Sequence, residues 1–429
     1  MKMMMDTSYR LLALCARAEW FAAHDKLLVQ AAAQIPDWEI VPARAEAHGM
    51  APLLHAHLRS AGIHPPRPVT RQLQGLYLQH RRANQIRADV LREILAAFET
   101  AGVQALILKG AALSHLVYPE PGLRPMSDID LLVSRSDPAK AQEALAGLGF
   151  DAPLPSRGAL PHRHLAAATL RREGLLVQVE IHHQLSSTYF DNAVSYLRNR
   201  FSPNTARRSS TRAARVNGLT VSPRPLPALG RSASTLGLED MLGHLCQHLL
   251  SHINVWDYGR LVWVADIVSL AERFASEIDW DHVRRQYPDV LDTLAVLHFA
   301  TPLSQELLAT AGVKVGHAPR DIGREYQGWP QARPREWRRR GYGRVLRDTL
   351  FPSEWWLRLR YKLGSTRPLL WSRCVRHPFH ILGHVGRTLL ERMGWPTPLE
   401  LAAGGRQSLS PPAQDGKAPS TQTAKAGPQ

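Results

Sequence analysis

Apolar residues in the first hundred positions recur at helical spacing. Ile86, Val90, Ile94 and Phe98 return every fourth residue, and Leu53, Leu54 and Leu58 mark an earlier amphipathic stretch. Such spacing places them on one face, so the pattern predicts helix through residues 8–100, with Gly102 closing it. Then the period changes. Val103 to Leu108 is an apolar run between Gly102 and Gly110, too short for a helix, and predicts a buried strand. Asp128-Ile-Asp-Leu-Leu-Val133 predicts a second strand, and Pro138 to Leu145 a helix ended by Gly147 and Gly149. Leu165 to Arg171 and Leu175 to His183 flank Glu173-Gly174, a two-residue hairpin signal. On the later strand Val177, Val179 and Ile181 share one face, while Gln178, Glu180 and His182 share the other.

Helical spacing returns in Leu238 to Leu250, Arg260 to Leu270 and Leu291 to Leu307. Residues 192–235 are rich in Ser, Pro and Arg and predict irregular chain, apart from a hairpin-like Val216-Asn-Gly-Leu-Thr-Val221. Residues 320–400 mix Trp, Arg and Pro without a readable period. Beyond Ala402 the Gly, Ser, Pro, Gln and Thr content predicts a disordered tail. The expected organisation is a helical region at 1–100, a mixed core at 101–191 and a basic connector at 192–237. A helical region at 238–310, a basic region at 311–401 and the tail at 402–429 follow.

At 429 residues the chain exceeds one ordinary core, and its composition is that of a globular protein. Cys15, Cys246 and Cys374 are far apart, which argues against a disulfide framework or a zinc site and fits a reducing cytoplasm. No apolar run approaches the roughly 18–20 residues that span a bilayer, and the Met1-Lys-Met-Met-Met start lacks a signal-peptide pattern. The net charge of +16 is unevenly spread. Residues 192–238 hold eight arginines, among them Arg207, Arg208, Arg212 and Arg215, and no acid. A second basic block runs through Arg333, Arg335 and Arg338-Arg-Arg340. Two readings stay open: a surface for polyanions such as nucleotides, nucleic acid or anionic lipid, or a merely solubilising surface.

The chemistry concentrates around two carboxylates. Asp128 and Asp130 are two apart, so on a strand both leave the same face. Burying two acids together is costly unless a cation neutralises them, and a hard divalent ion completed by phosphate oxygens answers that need. Lys109 follows the first strand directly, and Gly110 lets backbone N–H groups approach a phosphate at the N-terminus of the short helix Ala111 to Val117. His244, His248 and His252 recur every four residues on one helix face; lacking an adjoining glutamate base, they read as packing rather than as a zinc site. His162 and His164 give no usable signal. Trp256, Arg260 and Trp263 either cover a site or pack helix on helix.

The pattern Lys109-Gly110, Tyr118-Pro119, Arg124 and Asp128-Ile-Asp130-Leu-Leu-Val resembles the minimal nucleotidyltransferases of the polymerase-beta superfamily. Within them it resembles uncharacterised bacterial nucleotidyltransferase proteins, some encoded beside peptide- or polysaccharide-assembly genes. The resemblance extends through Leu238 to His248 and Arg260 to Asp266. It implies a third acid on a later strand, followed two residues on by histidine, which Val177-Gln-Val-Glu-Ile-His182 supplies as Glu180. It implies phosphate contacts from Lys109, Gly110 and Arg124, with pairing to the acids as the rival role for Arg124. The family turn often carries Gly-Ser or Gly-Gly where this chain has Gly110-Ala111; Ser114 is the alternative hydroxyl, though a helix-surface serine is the plainer reading.

The expected fold is α+β (mixed α/β): a small mixed-sheet nucleotidyltransferase core with helices on one side, embedded between helical segments. The expected reaction moves a nucleoside monophosphate from a nucleoside triphosphate to a hydroxyl acceptor on a small molecule, peptide or protein. Asp128, Asp130 and Glu180 would be catalytic and would hold Mg²⁺, with Mn²⁺ as its substitute, and His182 would orient the acceptor or a ligating carboxylate. Two alternatives remain: a nucleic-acid-binding or nucleic-acid-modifying protein, and a non-catalytic, antitoxin-like partner retaining the fold.

Overall fold

In the computed structural model α1 (Thr7–Leu14), α2 (Asp25–Ala33), α3 (Val41–Ala47), α4 (Ala51–Ser60) and the long α5 (Arg67–Thr100) precede the first strand. The described residues are 7–19, 24–134, 136–153, 164–185, 223–256, 259–319, 326–329, 332 and 336–392. The helical stretch is thus divided. Gly49, at φ +68°, separates α3 from α4, and Pro65-Pro66 precedes α5. α5 admits Pro68 in its first turn, where the missing N–H costs nothing, and is followed by Gly102 at φ +68°. Ile86, Val90, Ile94 and Phe98 are all buried along it.

The sheet contains β1 (Ala105–Ile107), β2 (Asp128–Val133), β3 (Ala168–Arg172), β4 (Leu175–His182), β5 (Arg224–Pro225) and β6 (Ser234–Thr235), ordered β3-β4-β2-β1-β6-β5. β2 runs antiparallel to β1 and parallel to β4. The parallel pairing needs a crossover, which α7 (Pro138–Gly147) and β3 supply. β3 and β4 form the expected hairpin: Glu173 and Gly174 both take positive φ, +51° and +78°, as a primed two-residue turn requires.

Ile107, Ile129, Leu131, Val133, Val177, Val179 and Ile181 pack with α5 and α7 in one apolar cluster. On the opposite face Leu106 and Leu132 join a second cluster, built by the N-terminal helices with α8 (Leu238–Trp256) and α9 (Leu261–Arg273). Helices therefore cover parts of both faces, where the pattern predicted one. β5 and β6 are too short for alternation to reveal.

The predicted helix Leu291 to Leu307 is two. After α10 (Trp280–Gln286), α11 (Asp289–Ala300) stops before Pro302, which has no N–H to continue the ladder. Ser304 then caps α12 (Gln305–Ala311), its Oγ accepting the Leu307 N–H at 3.1 Å. Residues 320–400 contain α13 (Trp337–Arg340), α14 (Tyr342–Leu350), α15 (Glu354–Arg360) and α16 (His377–Arg392). Within α15, Trp356 is stacked on Tyr326 with ring centroids 4.2 Å apart. The chain divides into two units, 1–379 and 380–429. No described helix is long and apolar enough to cross a membrane. The Arg207–Arg215 cluster, the Val216–Val221 hairpin, Arg333, Arg335, His162 and the tail beyond Ala402 lie outside the described residues.

Candidate active site

The parallel register sets Asp130 opposite Glu180, Asp128 opposite Gln178 and Leu132 opposite His182. Facing residues share a side of the sheet, so Asp128, Asp130, Glu180 and His182 line one surface. β1 delivers the cation. The Leu108 N–H donates to the Asp130 carbonyl at 2.9 Å, and the next residue, Lys109, reaches the Asp130 carboxylate, Nζ to Oδ1 2.9 Å. To do so Lys109 takes a left-handed backbone, φ +47°, an unfavourable region for a lysine. Gly110, which the sequence marks as the special turn residue, keeps an ordinary φ. Its missing side chain serves packing instead: a Cβ there would lie 3.0 Å from Arg124 Nη1 and 3.1 Å from Met126 Cγ.

His182 completes the cluster. Its Nε2 donates to Asp130 Oδ1 at 2.8 Å and lies 3.5 Å from Glu180 Oε2, while His164 Nδ1 lies 3.9 Å from the same Glu180 oxygen. Ligand atoms of Asp130, Glu180 and His182 all fall within 4.8 Å of one another. Asp128 is half-buried and accepts from Ser127 Oγ at 3.1 Å.

The acids divide by the direction in which their surroundings shift them. Burial works to raise the Asp130 carboxyl, but Lys109 and His182 outweigh it and hold it well below the usual carboxylate range. Glu180 is likewise lowered: burial opposes ionisation, and the His182 hydrogen bond overcomes it. Asp128 goes the other way, raised first by burial and then by the charge of Asp130. His182 is raised, its hydrogen bonds to Asp130 and Glu180 exceeding the cost of burial. Lys109 is raised for the same reason, by Asp130.

Arg124 stands apart from this group. Its Nε and Nη2 donate to the two oxygens of Asp266, at 2.8 and 2.6 Å, and Nη1 donates to the Pro125 carbonyl. Tyr118 Oη also donates to Asp266, at 2.8 Å. Arg124 and Asp266 are both almost fully buried, so the guanidinium is engaged between loop and α9 rather than presented to a phosphate. The sequence expected this guanidinium on a phosphate or, as the rival role, paired with the site acids; in the structure its direct contacts are to Asp266 and Pro125. Asn84 of α5 fixes the same loop by donating to the Pro121 and Arg124 carbonyls, both at 2.7 Å. Ser114 is buried and donates to the Ala111 carbonyl at 3.2 Å, so it is neither a surface residue nor a turn hydroxyl.

Asp266 was missed in the sequence, although a carboxylate within Leu261-Val-Trp-Val-Ala-Asp-Ile-Val268 demands a partner. His164 was missed because the bridge from His164 to His182 is a tertiary pairing. Two of the α8 histidines pack on rings: His248 and His252 have ring centroids 4.5 Å apart and meet Trp263 at 4.9 and 4.5 Å. Burial and then the charge of Lys109 lower both, His252 to about 4, so both rings disfavour a proton and lie within electrostatic reach of the site.

The chain is similar to the crystal structure of an antigenic nucleotidyltransferase-like protein from Paracoccidioides brasiliensis. The likeness covers 52% of this chain and 97% of that one, at 18% identity and a TM-score of 0.25. No curated protein matches. The model of the uncharacterised nucleotidyltransferase family matches residues 35–309, well over half of the sequence, and the chain belongs to that family.

Proposed function

We propose that the chain transfers a nucleoside monophosphate from a nucleoside triphosphate to a hydroxyl acceptor, with Asp128, Asp130 and Glu180 as its catalytic acids. The observation that carries this reading is the β2–β4 register, which brings Asp130 against Glu180 with Lys109 and His182 on the same carboxylate. The donor set fits a hard divalent ion. Ionised oxygens of Asp130 and Glu180 are clustered, and Asp128, whose ionisation its neighbours oppose, gains most from an added cation. Asp128, Asp130 and Glu180 would hold Mg²⁺ or Mn²⁺, which when bound neutralises phosphate charge and acidifies an acceptor hydroxyl.

The remaining work falls to the side chains. Lys109 sits at the N-terminus of α6 (Lys109–Leu116), where its ammonium and the first helical N–H groups together favour an anion. Glu180, held ionised, accepts the acceptor's proton, and His182 keeps that carboxylate and Asp130 in place. Arg124 acts at a distance, by fixing the loop that leads into β2. The acceptor is a hydroxyl of a small molecule, peptide or protein, and the widely spaced cysteines favour a cytoplasmic setting.

Incubation with each labelled nucleoside triphosphate and Mg²⁺, with cell lysate as acceptor source, tests the reading. Label transfer with pyrophosphate release is expected, and its loss in Asp128→Asn. Absence of both transfer and nucleotide binding with all four nucleotides would overturn it.

A further inference from the structure

The stretch of chain from 333 to 379 combines two properties that seldom coincide. One is charge. Residues 333–376 hold thirteen Lys and Arg against three acids, and so carry ten of the chain's sixteen net positive charges. Several of these are exposed, among them Arg344, Arg367, Arg373 and Arg376. The other is exposed apolar surface. Within this stretch Tyr342, Leu346, Phe351, Leu370, Trp371 and Phe379 are all more than half exposed.

α14 is amphipathic in the wrong sense for a helix covered only by protein. Val345 and Thr349 are buried, but Tyr342, Leu346 and Leu350 form a stripe at four-residue spacing that faces outward, and Phe351 follows at 65% exposure. The Thr349 carbonyl accepts from His377 Nε2 at 2.7 Å, which pins the start of α16 to α14. Just before that pin, a π-helical turn (Ser372–Arg376) leads into α16. Here Leu370 and Trp371 are 74% and 66% exposed, Arg373 and Arg376 are exposed, and Phe379 is 70% exposed.

We propose that the exposed apolar and basic side chains of this stretch dock on an anionic membrane surface, lying in the interface without crossing it. Exposed Trp, Phe and Leu interleaved with arginine is the composition that lets a helix sink its apolar side below phosphate headgroups while its guanidinium groups stay among them. Charge separates this occupant from the alternatives. A second copy seated on the same stretch would bring two strongly cationic surfaces together. Nucleic acid would satisfy the arginines, but Leu346, Leu350 and Leu370 offer nothing to phosphates or stacked bases. An anionic bilayer answers both properties.

Co-sedimentation of the full chain with vesicles provides the test, and its readout is independent of nucleotide transfer. Vesicles of phosphatidylcholine mixed with phosphatidylglycerol should bind the protein, and vesicles of phosphatidylcholine alone should not. Trp371→Ser combined with Phe379→Ser keeps every charge, alters only exposed positions, and should weaken binding by about tenfold or more. Arg373→Gln with Arg376→Gln should weaken it too. Equal binding by the apolar variant would reduce the effect to nonspecific attraction by a cationic protein and overturn the proposal. So would a self-associated chain that Leu346→Ser converts to monomer without any vesicle binding, or preference for single-stranded RNA over vesicles.

Discussion

Asp130 and Glu180 face each other directly across the parallel β2–β4 pair, and His182 lies within 3.5 Å of both carboxylates. The site therefore depends on strand register. A slip of one residue would present Ile129 or Leu131 where Asp130 stands and send the acid into the apolar cluster beneath. Lys109 and His182 reward the correct register electrostatically, while Val177, Val179 and Ile181 reward it by burial.

The two aspartates should separate when stability and transfer are measured together. Asp130→Asn leaves Lys109 buried without its partner, and should cost about 3–5 kcal/mol by analogy with broken buried pairs. Asp128→Asn relieves repulsion at a half-buried carboxyl and should change stability little. Both variants should lose transfer. Denaturant unfolding beside a transfer assay decides this, and equal stabilities would contradict the anchoring role of Asp130.

Lys109 can be tested through its backbone. Glycine tolerates φ +47° and alanine does not, so Lys109→Gly should be more stable than Lys109→Ala by about 1 kcal/mol. Both remove the same ammonium, so the difference isolates backbone strain from charge. The opposite order in urea unfolding would mean that the left-handed conformation is absent in solution.

Glu180→Gln should cripple the chemical step and leave nucleotide binding largely intact, since Asp128, Asp130 and Lys109 remain. Calorimetric affinity and single-turnover rates distinguish the outcomes. Lost affinity with a normal rate at saturation would make Glu180 a binding residue and move the search for the base to His182.

Strands β1 to β4, the hairpin and the grouping of acids were legible because each is a local pattern. Alternation placed Glu180 and His182 on one face, and Glu173-Gly174 carries its turn in two residues. The parallel pairing of β2 with β4 was not legible, because nothing in either strand specifies a partner some fifty residues away. What Arg124 contacts was not legible for a related reason. Its role depends on Asp266, 142 residues later, and an arginine near two acids reads the same whether it serves ligand or fold. Leu291 to Leu307 failed locally: apolar spacing continues through Pro302 although the backbone ladder does not.

Arg124→Lys should behave as a structural lesion. Lysine cannot reproduce the two-pronged contact to Asp266, so about 3–5 kcal/mol of stability should be lost, and Asp266→Asn should cost a similar amount. The double variant should cost much less than the sum, because each change removes the other's partner. Nucleotide affinity of the folded Arg124→Lys protein should match the parent. A selective loss of affinity at unchanged stability would restore Arg124 to the phosphate site.

Acid should weaken the fold through histidine before it reaches the carboxylates. His57 is almost wholly buried and its Nε2 donates to the Arg17 carbonyl at 2.8 Å. Burial lowers its pKa from 6.5 to about 4. The unfolded chain takes up this proton below pH 6.5 and the folded chain only below about 4. The contribution of His57 is therefore complete above pH 6.5, shrinks as pH falls, and is fully lost near pH 4, about 3 kcal/mol in all. By pH 5 about 2 kcal/mol should already be gone, whereas the depressed carboxyls of Asp130 and Glu180 begin to matter only below about pH 4. His182, raised rather than lowered, acts in the opposite sense and above pH 6.5, where its contribution fades as it deprotonates. Unfolding free energies measured between pH 7 and pH 5 should thus fall in the parent and fall less steeply in His57→Gln. An identical slope in the two proteins would show that His57 is already solvated in the native state.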